Sequence, residues 1–437
     1  MAKTPAWAEA ICGVRGEVIA GLAREYASSK PADLRGGWAP GRTAYGEQFH
    51  RACIALSAMT GNIGIPGGGP GCWVTQDFQR TLGVSLLPPL ANPTGKSIVG
   101  WRWADAVLEG VSGGYPSDIR MIYSIGGNRL NQCGDIKKSV QALEKVEFVV
   151  VQDQFLTPIA RHADIVLPVN THFEREDIQI PHGQGNYLIF NHQVIPNLEE
   201  SKSDLDILTA LAQRIGGGAF GDKTAQEWLP ELIKHAPAGY EDLRSQDVFR
   251  YGTPAPRAPL QEFVADPRGN PLPTPSGKVE IFSQGLAQRQ QALLPPLPQY
   301  IAAAEASPPP TQRSYPFLLV TVHSRKSVHS SFQNVPWLQE IEPHTLCMNP
   351  VDATAQGIRD GQKVIVRSEI GAVVIATKLT ERIMPGVVSI PQGAWRQLDK
   401  EGVDWNGSVN VLCPDTISPG EASVTNAVPV TVARWES

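Results

Sequence analysis

The densest set of hydrogen-bonding groups in the chain follows a short apolar run near residue 320. Two histidines, two basic residues and four serines fall in the ten positions from Val322 to Ser331, among them His323, Ser324, Arg325, Lys326, His329 and Ser330. Such a set of donors suits the oxygens of a phosphate. His323 and His329 are six positions apart with no carboxylate or cysteine close by, a poor spacing for metal ligands. A plain polar loop has the same composition. Elsewhere Gly126-Gly127-Asn128 ends an apolar run. Glycines there let a ligand approach the backbone, and an asparagine offers both donor and acceptor; the tripeptide is also an ordinary turn. Gln152-Asp153, then Thr157, follow a β-branched run. An acid at such a strand end commonly takes ribose hydroxyls or purine N–H groups, and Asp153 fits that role. Asp164 reads equally as a capping residue. Gln392-Gly393-Ala394-Trp395 and Gly407-Ser408-Val409-Asn410 bring amide side chains suited to the edge of a heterocycle. Glu174-Arg175 and Ser203-Asp204, taken alone, read as a solvated charge pair and a helix N-cap.

The elements that must position these groups follow from periodicity. An amphipathic helix is expected from the start to about Tyr26, and a second over Glu47–Met59, with Ala52, Leu56 and Met59 on one face and a stop at Thr60-Gly61-Asn62. Gly64–Gly71, with five glycines and two prolines, must be loop. Met121–Ile125, Val146–Val151 and Asp164–Val169 read as strands, with a helix around Ile136–Leu143 between the first two, which is the signature of a parallel sheet. Ligands of such sheets sit beyond the carboxyl ends of the strands, where Gly126-Gly127-Asn128 and Gln152-Asp153 fall. A helix is expected over Ser203–Ile215. Beyond Pro316 the texture turns β-rich: Leu318–His323, Lys363–Ser368, Ala372–Lys378, Val387–Pro391 and Val428–Ala433 read as strands, with hairpin-type signals at Asp360-Gly361 and Ile370-Gly371. The fold class expected is α/β, a Rossmann-like parallel-sheet part over 1–290, a Pro-rich linker over 291–316 and a small closed β-barrel over 317–437.

Composition narrows the function. At 437 residues with 42% hydrophobic and 19% charged residues, the chain can bury a real core. A net charge of −5 argues against a nucleic-acid partner. No apolar run approaches the roughly 20 residues of a membrane span, and the first thirty residues lack the pattern of a signal peptide. Cys12, Cys53, Cys72, Cys133, Cys347 and Cys413 are scattered with no CxxC pair, so no zinc or iron–sulfur site is expected in the chain. Ser-His-Asp order, Walker loop, HExxH and GxGxxG are all absent.

Read together, these pieces resemble the molybdenum oxidoreductases of the dimethyl sulfoxide reductase family. Val149–Asp153, Thr157, Ala163–Pro168 and Phe173-Glu174-Arg175 resemble one family block, with Gly126-Gly127-Asn128 ahead of it. Trp38, Arg42, Gly46, Met59–Gly64 and Pro66–Gly69 resemble an earlier one, and Ser201–Asp204 and Thr274–Glu280 two more. Pro316–Trp435, with Asn349-Pro350, Gln392–Trp395 and Asn410, is similar to the family's dinucleotide-binding barrel, of double-psi type. The resemblance implies two molybdopterin guanine dinucleotides around one molybdenum (bis-MGD) and two-electron oxygen-atom transfer. It places Gly126, Gly127, Asn128, Gln152, Asp153, Thr157, Arg175 and Asp204 at one dinucleotide, Asp153 at its guanosine end. The loop His323–Ser330, with Gln392, Gly393, Asn410 and Asn426, falls to the other, and Trp38 and Arg42 to the pterins and substrate funnel. It covers the C-terminal half of the family pattern, so the molybdenum ligand and any [4Fe–4S] cluster are expected from an N-terminal half or companion subunit, with an electron-transfer subunit beyond it. Family members are often periplasmic, whereas this chain carries no address of its own. Rival readings are a non-catalytic molybdopterin-binding fragment or carrier, and an unrelated two-domain nucleotide-binding protein.

Overall fold

A computed structural model describes residues 2–69, 71, 84, 92, 94–181, 186–216, 223–252, 258–291, 293–302 and 315–436. Cys72, Pro70 and half of the expected linker lie outside them. The chain divides into two compact units, one of residues 1–75, 254–307 and 418–422, the other of 76–253, 308–417 and 423–437.

The first unit is helical. The expected opening helix is two, α1 (Pro5–Cys12) and α2 (Gly16–Ser28). Gly13 breaks it by taking a left-handed φ of 72° and closing α1 through its N–H to the Glu9 carbonyl. Helix α3 spans Glu47–Met59, and Gly61 stops it with a φ of 66°. Its inward face differs from the one expected: Met59 is 68% exposed, whereas Gln48, Cys53, Ala55 and Ser57 are buried. Polar groups are tolerated inside because they are partnered. Ser57 Oγ is 3.1 Å from the Tyr26 hydroxyl, and Arg51 donates at 2.8 Å to the Pro295 carbonyl.

The second unit holds three sheets. Strands β1 (Met121–Ile125), β2 (Phe148–Asp153) and β3 (Ile165–Pro168) form a parallel sheet in that order. Helix α4 (Trp103–Glu109) precedes them and α5 (Ile136–Lys145) joins β1 to β2. Val149 to Gln152 are all buried, the continuous run of a strand covered on both faces. Strands β4 (Asp177–Gln179), β5 (Tyr187–Asn191) and β6 (Val248–Arg250) form an antiparallel sheet that the sequence pattern did not disclose, each edge strand being three residues long. Helix α6 (Asp204–Ile215) starts at the N-cap Ser203.

The remaining strands are β7 (Phe317–Val322), β8 (Thr345–Met348), β9 (Lys363–Arg367), β10 (Ala372–Leu379), β11 (Val387–Pro391), β12 (Val403–Asp404) and β13 (Val428–Arg434). Pairing runs β10-β8-β11-β7-β13-β9 and returns to β10, closing a six-stranded barrel with β12 added outside. Strand β8 escaped the pattern because Thr-Leu-Cys-Met has no β-branched run. The turn at Ile370-Gly371 joins the hairpin β9–β10 as expected. Asp360-Gly361 joins no hairpin: it is the turn entering β9, and Asp360 accepts from the Leu379 N–H at 2.7 Å. Barrel and parallel sheet share one core, in which Leu130, Val149 and Val151 cluster with Leu319, Leu346, Met348 and Ile390.

Candidate cofactor site

Strand ends collect the polar groups. β7 and β11 are parallel with Val322 opposite Pro391, so the loops that follow them leave the barrel at the same end. Gln392 Nε2 donates at 2.9 Å to His323 Nδ1 and at 3.1 Å to His329 Nδ1, so one amide gathers both imidazoles. Gly393 has a φ of 102°, and a Cβ there would stand 1.9 Å from the His329 carbonyl oxygen, so only glycine allows the two loops to touch. Trp395 Nε1 donates at 2.9 Å to the Ser330 carbonyl.

The end of β1 faces these loops. Gly126 takes a φ of 56° and donates to the Gln152 carbonyl at 3.0 Å, and a Cβ on it would meet nothing within 4 Å. The ground beyond the strand is open. Asn128 is buried and its Nδ2 donates at 2.7 Å to Asn131 and reaches Ser330 Oγ at 3.5 Å. Among the described residues its Oδ1 has no partner. A buried acceptor without a donor costs about 1–3 kcal/mol, a penalty removed when a ligand supplies an N–H. Asn131 was not singled out from sequence, yet its Nδ2 donates to the Ala394 carbonyl at 2.7 Å and ties the β1 loop to the barrel loop. Its i+3 spacing from Asn128 was the available signal. Alongside β1 lies a cavity of about 300 Å³ lined by Trp103, Tyr123, Ser124, Gly127, Arg129 and Ile159, among others.

Other expected site residues have partners within the chain. Gln152 is fully buried: its Oε1 accepts from the Tyr123 hydroxyl and its Nε2 donates to Asp204 Oδ1 at 2.8 Å. The amide is spent inside the chain. Asn410 is buried and donates to the Cys133 carbonyl at 2.9 Å, and buried Asn426 accepts from Thr321 at 2.6 Å. Lys326 turns inward to Gln339 at 2.5 Å and to the Glu342 carbonyl; burial pushes its ammonium below the usual lysine range while Glu342 opposes the shift. Ser324 donates to Glu342 at 3.3 Å. Arg175 is held by Asn170 at 2.9 Å and Asp177 at 3.1 Å. Asp153 ends β2, accepting from Thr157 at 3.1 Å and the Gln154 N–H at 2.8 Å. His323, Arg325 and His329 are exposed. Trp38, 66% exposed, and Arg42 belong to the first unit.

A strand-end cradle of glycines and amides, with an unpaired buried acceptor, fits a ligand rich in N–H groups and phosphate oxygens. The comparisons agree with that chemistry. Residues 20–214 match the molybdopterin oxidoreductase family and residues 317–428 the Molydopterin dinucleotide binding domain. Both matches point to one cofactor, a molybdopterin dinucleotide carrying molybdenum, and the chain is similar to reductases of the dimethyl sulfoxide reductase family. It is 37% identical to dimethyl sulfoxide reductase DmsA of Escherichia coli (strain K12), over 98% of this chain and 57% of that protein. It is 32% identical to dimethyl sulfoxide/trimethylamine N-oxide reductase of Cereibacter sphaeroides, over 94% of this chain and 55% of that protein. The chain therefore spans little more than half the length of these relatives. The fold is similar to that of acetylene hydratase from Pelobacter acetylenicus, with a TM-score of 0.64, 21% identity, and coverage of 90% of this chain and 50% of that one.

Proposed function

We propose that the chain forms part of a reductase that takes an oxygen atom from sulfoxides or amine N-oxides at a bis-MGD molybdenum centre. The observation that carries the reading is the orphaned Asn128 Oδ1, buried where the ends of β1, β7 and β11 meet. The relatives' names supply the substrate class. Bound, the cofactor supplies a centre that stores and releases two electrons. The chain's own residues bind and orient it. Asn128 offers its acceptor, Asp153 and Asp204 face the guanosine end of one dinucleotide, and His323, Arg325, His329, Ser330 and Gln392 receive the other. Trp38 and Arg42 belong to the substrate funnel. Thr157, Arg175, Lys326, Asn410 and Asn426 hold these groups in place. We take the barrel to be of double-psi type, a reading supported by its two parallel pairs, β7–β11 and β8–β10. We further propose two cofactor-binding parts, over 1–290 and 317–437, as the sequence pattern divides them.

In the net reaction the S–O or N–O bond breaks, the substrate gains two electrons, and the oxygen leaves as water with two protons. A companion segment or subunit supplies the molybdenum ligand and passes the electrons. The test is oxidation of a reduced viologen dye, the electron donor, by dimethyl sulfoxide and by trimethylamine N-oxide, with the chain present in its holoenzyme. Dye oxidation dependent on either acceptor supports the reading, and none with either overturns it.

A further inference from the structure

The Tyr123 hydroxyl, the Gln152 amide and the Asp204 carboxylate form one relay in the second unit, buried at its centre and half-buried at its two ends. Tyr123 donates to Gln152 Oε1, and Gln152 Nε2 donates to Asp204 Oδ1 at 2.8 Å. Gln152 has no exposed surface. Each end of its amide is engaged by a neighbour and the side chain is fully buried, so it does not face a ligand. Asp204 opens α6, just inside the Ser203 cap, and among the described residues its Oδ2 has no hydrogen-bond partner. Burial, with the Asp204 charge next, raises the Tyr123 phenol above its ordinary range and keeps it a donor. The amide cannot flip, because the phenol demands the oxygen on one side and the carboxylate demands the nitrogen on the other.

We propose that Gln152 and Tyr123 are positioning residues: they fix the Asp204 carboxylate in one orientation, so that its free oxygen meets the N–H edge of a guanine base. This rests on the dinucleotide reading above. Adenine presents a ring acceptor at the corresponding edge and is disfavoured by the same carboxylate.

The test is GDP and ADP binding to the full chain by calorimetry. The wild-type chain is expected to bind GDP more tightly than ADP. Gln152→Leu removes the donor to Asp204 and should weaken GDP about tenfold, the value of one charge-assisted hydrogen bond, with ADP unchanged. Gln152→Glu is near-isosteric. At pH 8 it sets two carboxylates face to face and GDP binding falls; by about pH 5.5 the raised glutamate protonates, again donates to Asp204, and binding recovers. Tyr123→Phe should lose GDP affinity in the same direction but less. Asp204→Asn should lose the GDP preference with no recovery at low pH. If Gln152→Leu and Gln152→Glu bind GDP like the wild type, or Gln152→Glu stays weak at both pH values, the relay is not a positioning device. If the wild-type chain shows no preference for GDP, the dinucleotide reading itself fails.

Discussion

Asn128 is held in place by Asn131 at 2.7 Å while its own acceptor is left unpaired and buried. Evolution of stability alone would have filled or removed that acceptor. Replacing Asn128 by alanine loses the bond to Asn131 and the long one to Ser330 but also deletes an unsatisfied group, and these changes offset to within about 1 kcal/mol. The expected outcome is a melting curve close to wild type together with a clear fall in retained cofactor, read as guanine nucleotide released on denaturation. A large drop in stability with unchanged nucleotide content would make Asn128 a structural residue. Gln152 is the opposite case. Its residue type invited a ligand-contact reading, but sequence could not reveal that Tyr123 and Asp204, 29 and 52 positions away, consume both ends of its amide.

Among the elements, the segment between β3 and β4 is organised by one carboxylate. Glu174 accepts from the Thr171 N–H at 2.7 Å, the Leu198 N–H at 2.8 Å and the Ser201 hydroxyl at 3.1 Å. These bonds, the Leu198 backbone first, lower its pKa to about 2 from an ordinary 4.5. A depressed carboxyl pKa stabilises the fold above the unfolded value and loses that contribution as pH falls through the folded one. Glu174→Gln should therefore be less stable than wild type at pH 7, and the gap should close between pH 4.5 and about 2, as denaturant titrations across that range would record. A gap independent of pH would remove the charge from the explanation. The strands β1, β7, β9, β10, β11 and β13 were legible because runs of Val and Ile bounded by Gly or Asp mark them. The antiparallel sheet β4–β6 was not, because its edge strands are three residues long and pair across stretches of sequence that carry no period. The helix break at Gly13 was written in the sequence but hidden by apolar spacing that continues on either side of it.

On the scale of the whole second unit, parallel sheet and barrel are one body of packed side chains, and a polar lock joins them. Lys138, on α5, meets Asp105 of α4 at 2.5 Å and also Asp415, while Arg102 reaches Asp105 at 3.0 Å. Asp105 is buried, and its carboxyl sits below the usual range: burial works against ionisation, but the hydrogen bonds from Lys138 and Arg102 outweigh it. Lys138→Met leaves that buried charge short of a partner and should cost about 3–5 kcal/mol, measured by denaturant unfolding. A cost near zero would mean that Arg102 alone compensates Asp105. The sequence divided this region at residues 291–316; the shared core explains why hydrophobic periodicity, which reports each strand separately, could not foresee that the two parts bury their faces together.

The most direct test of the account is the metal and nucleotide content of the purified chain. It should be produced in cells supplied with molybdate, alone and together with the segment of the Escherichia coli relative that lies outside the match. Molybdenum and guanine nucleotide released in a ratio of about one to two is the predicted result. Neither molybdenum nor guanine nucleotide in either sample would contradict it.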